Sequence, residues 1–354
     1  MYSFGRFNIP FDLINRQPSE DDISILIGEN GSGKSTLLSY IADSFSGRPS
    51  HKVIAIANTI HDKFKAKSSK VETLKASTGK TIVTKTLIRC LAMLSQDDLK
   101  RVRNIGNTLE YVGFEPYIGF TLKGLKYNFE SILDESNLDI SVKTELKYCL
   151  EKYQKEYLYS KKTAKVSFQG LSFDDIKDIL LITLFKYEGE LRKMKLIKGI
   201  DLFLYKGIDT IPVHQASSGE LTLITSLLYI TSSISYDSVI LIDEPENSLH
   251  PKWQIEYVKR LSELFYLYQP KIIIATHSPL IINGGELHSN SIKIYKGIKG
   301  EFRTRQNDTN NVEEIYHDYF DVTTPQNRYL SELLVKKMNE LASKDITLNE
   351  FETT

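Results

Sequence analysis

The chain is poor in cysteine, has no surplus of charge of either sign and contains no long uninterrupted hydrophobic run. It has two cysteines among 354 residues, Cys90 and Cys149, and they form no CxxC pair. That spacing argues against a disulfide framework or a zinc site and fits a reducing compartment. We expect two buried thiols, because unpaired cysteine is among the most frequently buried residue types.

The charge balance excludes a globally basic surface. Lysine and arginine number 45, and aspartate and glutamate also number 45, so the formal net charge is zero. Any contact with nucleic acid must therefore be local. Residues 52–103 provide one such stretch, with twelve basic and four acidic residues and a net charge of +8. This composition fits either a phosphate-facing surface or a solvated lysine-rich loop.

The apolar runs are broken by charge, histidine or proline well before the roughly 20 residues that a membrane-spanning helix needs. The first residues, MYSFGR, lack the apolar segment of a signal peptide. With 41% hydrophobic and 25% charged residues, the composition is that of folded domains and excludes disordered and collagen-like chains. We therefore expect a cytoplasmic globular protein.

Four short apolar runs each lead into polar residues, which is typical of buried parallel strands with functional groups at their carboxyl ends. The runs are Ile23–Ile27, Val53–Ala57, Val239–Ile242 and Lys271–Ala275. They predict an α/β fold. Other segments have helical periodicity, and a hairpin pattern occupies 291–304. The predicted helices are Leu87–Leu94, Val142–Tyr157, Phe173–Tyr187 and Gln326–Ala342.

A glycine-rich turn follows the first apolar run. Residues 28–36 read GENGSGKST and satisfy the pattern G-x-x-x-x-G-K-[ST], with an apolar helix pattern after them. Glycines let backbone amides at a helix N-terminus approach phosphate groups, Lys34 would reach the β- and γ-phosphates, and the Ser35 hydroxyl would bind Mg²⁺. The predicted nucleotide-binding residues are Asn30, Gly31, Ser32, Gly33, Lys34, Ser35 and Thr36.

An acidic pair, Asp243 and Glu244, ends another apolar run. A phosphate loop needs an acid to hold its metal ion, so Asp243 is predicted to bind Mg²⁺ directly or through water. Glu244 is predicted to be the general base that polarises the attacking water.

Two further patterns place polar residues beside secondary structure. Residues 216–220 read ASSGE and precede an apolar helix pattern, which makes a small-residue turn at a helix N-terminus and a second anion site. Residues 275–279 read ATHSP and follow the fourth apolar run. Taken alone, each pattern also fits an ordinary structural role, as a helix cap or a satisfied histidine.

In this order the four elements resemble an ABC-type ATPase over roughly residues 1–60 and 205–295. The string DEPENSLHP at 243–251 resembles more specifically the SMC/RecF/OLD-like branch, especially anti-phage ATPases such as the Septu ATPase PtuA and retron-associated ATPases. The resemblance implies that His277 senses the γ-phosphate. It also implies a signature motif made of Ser217, Ser218, Gly219 and Glu220.

The same resemblance implies that Asn247–His250 form the D-loop, which crosses to the partner's site. A Q-loop glutamine is missing after VIAIA, and Asn58 stands where it is expected. The family further implies a homodimer or higher assembly in which ATP, with Mg²⁺, lies between the phosphate loop of one copy and the signature motif of the other.

The separation of Lys34 from Asp243 by 209 positions predicts one ATPase head, residues 1–85 and 201–354, interrupted by a largely helical insertion at 86–200. Only 69 residues follow Gly285, too few for the Toprim nuclease domain of OLD nucleases. We therefore expect an ATPase of anti-phage defence that controls a separately encoded nuclease or toxin. Two alternatives stay open: a RecF/SMC-type DNA-repair or chromosome-maintenance ATPase, and a transporter subunit.

Overall fold

The computed structural model describes residues 2–4, 7–16, 22–58, 64, 70–75, 79–93, 99–160, 162–169, 181–288 and 292–305, with single residues at 315, 335, 336, 338 and 343. The strands are β1 (Tyr2–Phe4), β2 (Phe7–Ile9), β3 (Asp22–Ile27), β4 (Val53–Ala57), β5 (Val71–Lys75), β6 (Tyr117–Lys123), β7 (Ala164–Ser167), β8 (Gly199–Lys206), β9 (Asp209–Pro212), β10 (Val239–Asp243), β11 (Lys271–Ala275), β12 (Lys293–Ile298) and β13 (Glu301–Arg305). The helices are α1 (Phe11–Ile14), α2 (Lys34–Ser46), α3 (Gly79–Ala92), α4 (Leu99–Val112), α5 (Phe129–Asp134), α6 (Ile140–Tyr153), α7 (Ile182–Lys186), α8 (Glu188–Lys193), α9 (Ser218–Ser233), α10 (Pro251–Phe265) and α11 (Pro279–His288).

The larger sheet has nine strands in the order β1-β2-β13-β12-β3-β11-β10-β4-β5. Strands β12, β3, β11, β10, β4 and β5 run parallel to one another. The four predicted strands are β3, β4, β10 and β11, which lie side by side at the centre and confirm the α/β fold class. Asp243 is in register with Ala275 on one side and Ala57 on the other. The carboxyl ends of these strands therefore meet at one edge of the sheet, where α/β folds bind their ligands.

Both faces of this sheet are covered, which explains why its central strands are apolar without alternation. Along β3, Ile25 joins a core layer that includes residues of α9 and α10, whereas Leu26 joins the opposite layer with α2. Helix α2 contributes Leu37 and Leu38, both fully buried. Burying one such side chain stabilises the fold by about 1.5–3 kcal/mol, so the helix that begins at the phosphate loop is firmly held.

A second, antiparallel sheet in the order β7-β6-β8-β9 lies within and just after the predicted insertion. This sheet is not predicted from the sequence, although Ile200, Leu202 and Leu204 alternate inward along β8. In β6 the alternation is broken by Gly119, whose backbone packs against the Tyr205 ring. The described residues of the predicted insertion are largely helical and also include strands β6 and β7 of this sheet. Strand β8 runs across position 200, and the division into head and insertion stays a prediction.

Helix α4, which lies in the predicted insertion, bonds to two helices of the predicted head through two side chains. Arg101 donates to Ser232 O at 3.1 Å and to Ile234 O at 2.6 Å, at the C-terminus of α9. Asn104 donates to Leu264 O at 2.7 Å, at the C-terminus of α10. Carbonyls at helix ends lack partners within the helix, so α4 satisfies groups of two head helices at once.

The predicted hairpin and helices agree with the structure to differing degrees. The hairpin is β12 paired with β13, and α3 and α6 cover the first two predicted helices with shifted ends. A π-helical turn, Gln154–Leu158, continues α6. The predicted helix Phe173–Tyr187 is described only from residue 181, and Gln326–Ala342 lies almost wholly outside the described residues. No helix in the described part of the chain is long and apolar enough to cross a membrane.

Candidate functional site

The phosphate loop connects β3 to α2 at the carboxyl edge of the larger sheet. Gly33 has φ +101° directly before the first residue of α2, a left-handed conformation that glycine adopts without strain. Gly28 has φ +143°, and a Cβ atom there would lie 2.6 Å from Gly297 O in β12. The glycine pattern therefore has two local causes, the turn into the helix and the close approach of a neighbouring strand.

The side chain of Lys34 is buried at the centre of this loop, with only 5% of the residue exposed. Its Nζ donates to Gly28 O at 2.8 Å and Glu29 O at 3.2 Å, and lies 2.8 Å from His277 Nε2. Burial lowers the pKa of Lys34 to about 8, with the charges of nearby carboxylates, Glu244 first, opposing the shift. Two carbonyls of the phosphate loop thus hold the ammonium in place.

The predicted acidic pair ends β10 beside this lysine. Asp243 is 1% exposed at the strand end. Glu244 has φ +50°, its backbone N donates to Ala275 O at 2.8 Å, and its Oε2 accepts from Asn247 Nδ2 at 3.1 Å. The left-handed backbone, which is uncommon for a side chain of this size, turns the second carboxylate towards the loops at the strand ends.

His277 follows β11 and completes the cluster. Its Nε2 lies 3.8 Å from Glu244 Oε1 as well as 2.8 Å from Lys34 Nζ. Burial and then the charge of Lys34 lower the pKa of His277, and Glu244 opposes them. The lowered pKa favours the neutral imidazole, whose Nε2 can accept a hydrogen bond from the lysine ammonium.

Glu246, the second carboxylate after Asp243, is not among the predicted site residues. Its Oε1 accepts from His277 N at 2.6 Å and its Oε2 accepts from Thr276 Oγ1 at 2.8 Å. The one feature of the sequence that could have indicated it is an acidic residue two positions after Glu244. Its role depends on a contact with a loop 30 positions away, which no local pattern reveals.

The predicted signature turn caps α9. Ser217 Oγ accepts from Glu220 N at 3.2 Å, and Glu220 Oε2 accepts from Ser217 N at 2.9 Å, which is a reciprocal capping box. Lys206 Nζ lies 3.8 Å from Glu220 Oε1. Gly219 packs directly against Ser248 O. The turn therefore rests on the predicted D-loop of the same chain.

Asn58 directly follows β4, at the position where the family would have its Q-loop glutamine. Its backbone N donates to Asp243 O at 3.1 Å, and its carbonyl accepts from Asn247 Nδ2 at 3.4 Å. The segment after β4 thus borders the acidic pair.

At the other end of the D-loop, His250 caps α10 by accepting from Lys252 N at 3.3 Å.

These residues fit a nucleotide with Mg²⁺. Gly31 lies at the exposed tip of the loop, and no residue beyond its two chain neighbours lies within 4 Å of the place where its Cβ would be. A phosphate group could therefore approach the backbone there without meeting a side chain. Ser35, in the first turn of α2, and the buried Asp243 are the residues that would hold Mg²⁺. In phosphate loops this ion takes one or two protein ligands, and among the described residues no group of three His, Cys, Asp or Glu side chains forms a metal cage.

Several basic side chains of the stretch 52–103 make contacts within the protein. Lys52 pairs with Glu72 at 2.8 Å, Lys70 donates to Arg48 O at 3.3 Å, and Lys75 donates to Phe64 O at 3.2 Å. Arg101 donates to the carbonyls of Ser232 and Ile234 at the C-terminus of α9. Residues 71–75 form an edge strand and not a solvated loop. These contacts fix the positions of four basic side chains of the stretch, Lys52, Lys70, Lys75 and Arg101, and contact of the stretch with nucleic acid stays a prediction.

Residues 114–283 match a family model described as "AAA domain, putative AbiEii toxin, Type IV TA system". The chain is 24% identical to protein ea59 of Escherichia phage lambda over 295 residues, which are 79% of this chain and 50% of ea59. It is 31% identical to the Retron Vc95 probable ATPase of Vibrio cholerae serotype O1 biovar El Tor over 115 residues, 29% of this chain and 22% of the relative. The chain thus spans half or less of these relatives.

Among solved structures, the Smc head domain of Pyrococcus furiosus with an extended coiled coil, bound to the C-terminal domain of ScpA, is similar over 81% of this chain and 90% of that one. The identity is 12% and the TM-score 0.29, so the fold rests on the strand order described above. The matched family range includes the signature turn, the acidic pair and His277, and begins after the phosphate loop. Motif order and sheet topology, together with the family match over residues 114–283, show a P-loop ATPase fold whose motifs follow the order of ABC-type ATPases.

Proposed function

We propose that this protein is the ATP-binding and ATP-hydrolysing subunit of a prokaryotic anti-phage defence system. The observation that carries the proposal is the convergence of Lys34, Glu244 and His277, with both partners within 4 Å of the imidazole. A cation for phosphate, a carboxylate for water and a neutral histidine form the constellation that phosphoryl transfer to water needs. The defence role is supported by the relation to a retron ATPase and by a family description that names a putative toxin.

In the proposed reaction Lys34 and the loop amides would hold the phosphates of ATP, and Ser35 with Asp243 would hold Mg²⁺. The ion, when bound, supplies positive charge that offsets the charge of the phosphate oxygens. Glu244 accepts a proton from the attacking water, and the Asn247 amide keeps that carboxylate oriented.

Two copies are proposed to close over ATP, with the turn Ser217–Glu220 of one facing the phosphate loop of the other. Since ATP would contact both copies only in the closed pair, its binding favours closure and hydrolysis permits reopening. The head, residues 1–85 and 201–354, would make these contacts. The insertion, 86–200, would pass closure to a separately encoded nuclease or toxin, and the bonds from Arg101 and Asn104 to two head helices support such a link.

Phosphate release from ATP by the purified protein tests the enzymatic part. The wild type is expected to release phosphate with Mg²⁺, and Lys34→Ala is expected to weaken ATP binding at least about tenfold, because a buried charge-assisted contact is worth more than 1.4 kcal/mol. A wild type that binds ATP but never hydrolyses it, with or without the product of the neighbouring gene, would refute the proposal.

Plating efficiency of phages tests the defence part. Cells that carry the gene with its neighbour should restrict at least one phage, and Lys34→Ala should abolish restriction. The RecF/SMC-type alternative instead predicts binding to duplex DNA that weakens steeply with salt. An absence of DNA binding at low ionic strength would eliminate that alternative.

A further inference from the structure

The loop that carries His277 is tied on its first side by Glu246. Both oxygens of this carboxylate are used, one by His277 N at 2.6 Å and the other by Thr276 Oγ1 at 2.8 Å. Thr276 is fully buried. Burial raises the pKa of Glu246, while the bonds from His277 and Thr276 act in the opposite direction. One side chain thus fixes two consecutive residues of the loop.

The loop is tied on its other side by Gln254, from the first turns of α10. Its Oε1 accepts from Ser278 Oγ at 2.5 Å, and its Nε2 donates to Leu249 O at 2.9 Å. Ser278 Oγ in turn accepts from Leu280 N at 3.2 Å, in the first turn of α11. The amide of Gln254 therefore joins the residue after His277 to the D-loop backbone.

Both ties come from a single short segment. Glu246 and Gln254 lie on either side of the D-loop, Asn247–His250, and each bonds to a residue next to His277 or to His277 itself. Leu249 within the D-loop also donates its N–H to Glu246 O at 2.9 Å. The D-loop and the histidine loop consequently share a hydrogen-bonded frame at both ends.

We infer that Glu246 and Gln254 are positioning residues that couple the D-loop to His277. A displacement of the D-loop by a second copy of the chain would move the histidine through these two ties. The inference rests on the proposed function, in which the D-loop meets the partner. In the proposed function neither residue contacts the nucleotide, and the hydrogen bonds of both go to the D-loop and the histidine loop, so their loss should slow turnover and leave the affinity for ATP nearly unchanged.

The chemistry of each position defines graded variants. Glu246→Ala removes both acceptors and leaves the His277 N–H without its partner, whereas Glu246→Gln keeps one acceptor, and the Thr276 hydroxyl can rotate to accept from the new amide. At position 254 the side chain donates to Leu249 O and accepts from Ser278 Oγ, and an ionised carboxylate can only accept. Gln254→Glu therefore loses the Leu249 contact, and Gln254→Ala loses both.

Steady-state hydrolysis and a separate measurement of ATP binding provide the first test. Glu246→Ala and Gln254→Ala are expected to lower kcat about tenfold or more, with KM and the ATP dissociation constant within about twofold of wild type. Glu246→Gln should recover most of the rate. Glu263→Ala, which removes an exposed carboxylate farther along α10, is the matched control and should not differ from wild type. Unchanged kcat in both alanine variants, or a parallel loss of ATP affinity, would overturn the inference.

Amide hydrogen exchange gives a second test that does not need turnover. In Glu246→Ala the His277 amide loses its acceptor and should exchange at least about tenfold faster, with the α2 amides unchanged. Gln254→Ala should accelerate exchange in the D-loop and at Leu280. Equal exchange in wild type and both variants would contradict the coupling even if the protein hydrolysed no ATP, so the two failures are distinguishable.

Discussion

Lys34 Nζ lies 2.8 Å from His277 Nε2, although the two residues are 243 positions apart in the chain. The contact joins the first and the last of the predicted motifs across the sheet edge. It arises because β3 and β11 are adjacent parallel strands whose carboxyl ends coincide. In the proposed reaction the two groups would therefore face the same phosphates of ATP.

The histidine is expected to matter for turnover and little for binding. In His277→Ala, Lys34 keeps its two carbonyl partners, Gly28 O and Glu29 O, so ATP should still bind. Hydrolysis should fall about 10²-fold, within the range for lost charge-positioning groups. Single-turnover phosphate release and fluorescent-nucleotide binding measure the two quantities separately. A variant that hydrolyses ATP at the wild-type rate would remove His277 from the site.

Gly219 is expected to tolerate no side chain. In Gly219→Ala the added Cβ would collide with Ser248 O, so the signature turn and the D-loop must separate. ATP-dependent dimerisation should weaken, while ATP binding to the phosphate loop of one copy should persist.

The matched control for this substitution is Gly189→Ala in α8, where no atom lies within 4 Å of the new Cβ. Alanine there should be neutral or stabilise the helix by about 0.5–1 kcal/mol. Analytical ultracentrifugation with ATP, combined with thermal unfolding, checks both variants. Equal dimerisation of the two would contradict the close contact.

Arg101 is expected to link the insertion to the head. Arg101→Ala leaves the carbonyls of Ser232 and Ile234 without their charged donor and should lower the free energy of unfolding by about 1–3 kcal/mol. Arg103→Ala, an exposed neighbour on the same helix, should change it by less than about 0.5 kcal/mol. Urea denaturation measures both, and similar values would argue against the link.

The two cysteines are expected to resist thiol reagents in the folded protein. Both are buried and free, and burial raises the pKa of Cys90 to about 11 and that of Cys149 to about 12. Since only the thiolate reacts, labelling at pH 8 should be slow and should follow global unfolding. Rapid labelling of either thiol in native buffer would contradict its burial.

Much of the fold and site could be predicted because the signals are local. The run Ile23–Ile27 and the loop after it specify strand, turn and helix within about twenty residues, and the acidic pair ends its own strand. Glu246 and Gln254 escaped prediction because their partners lie 31 and 24 positions away, where only folding brings them together. The second sheet escaped because β6 pairs with β7 and β8 across long helical segments and Gly119 interrupts its alternation, although β8 and β9 form a local hairpin.

The most direct measurement of the account is the molecular mass of Glu244→Gln in solution with ATP and Mg²⁺, by light scattering, alongside its phosphate release. The account predicts no turnover and a stable dimer that disappears without ATP or when Lys34→Ala is added. A Glu244→Gln variant that hydrolyses ATP normally, or that stays monomeric at saturating ATP, would contradict the assigned base and the ATP-closed pair.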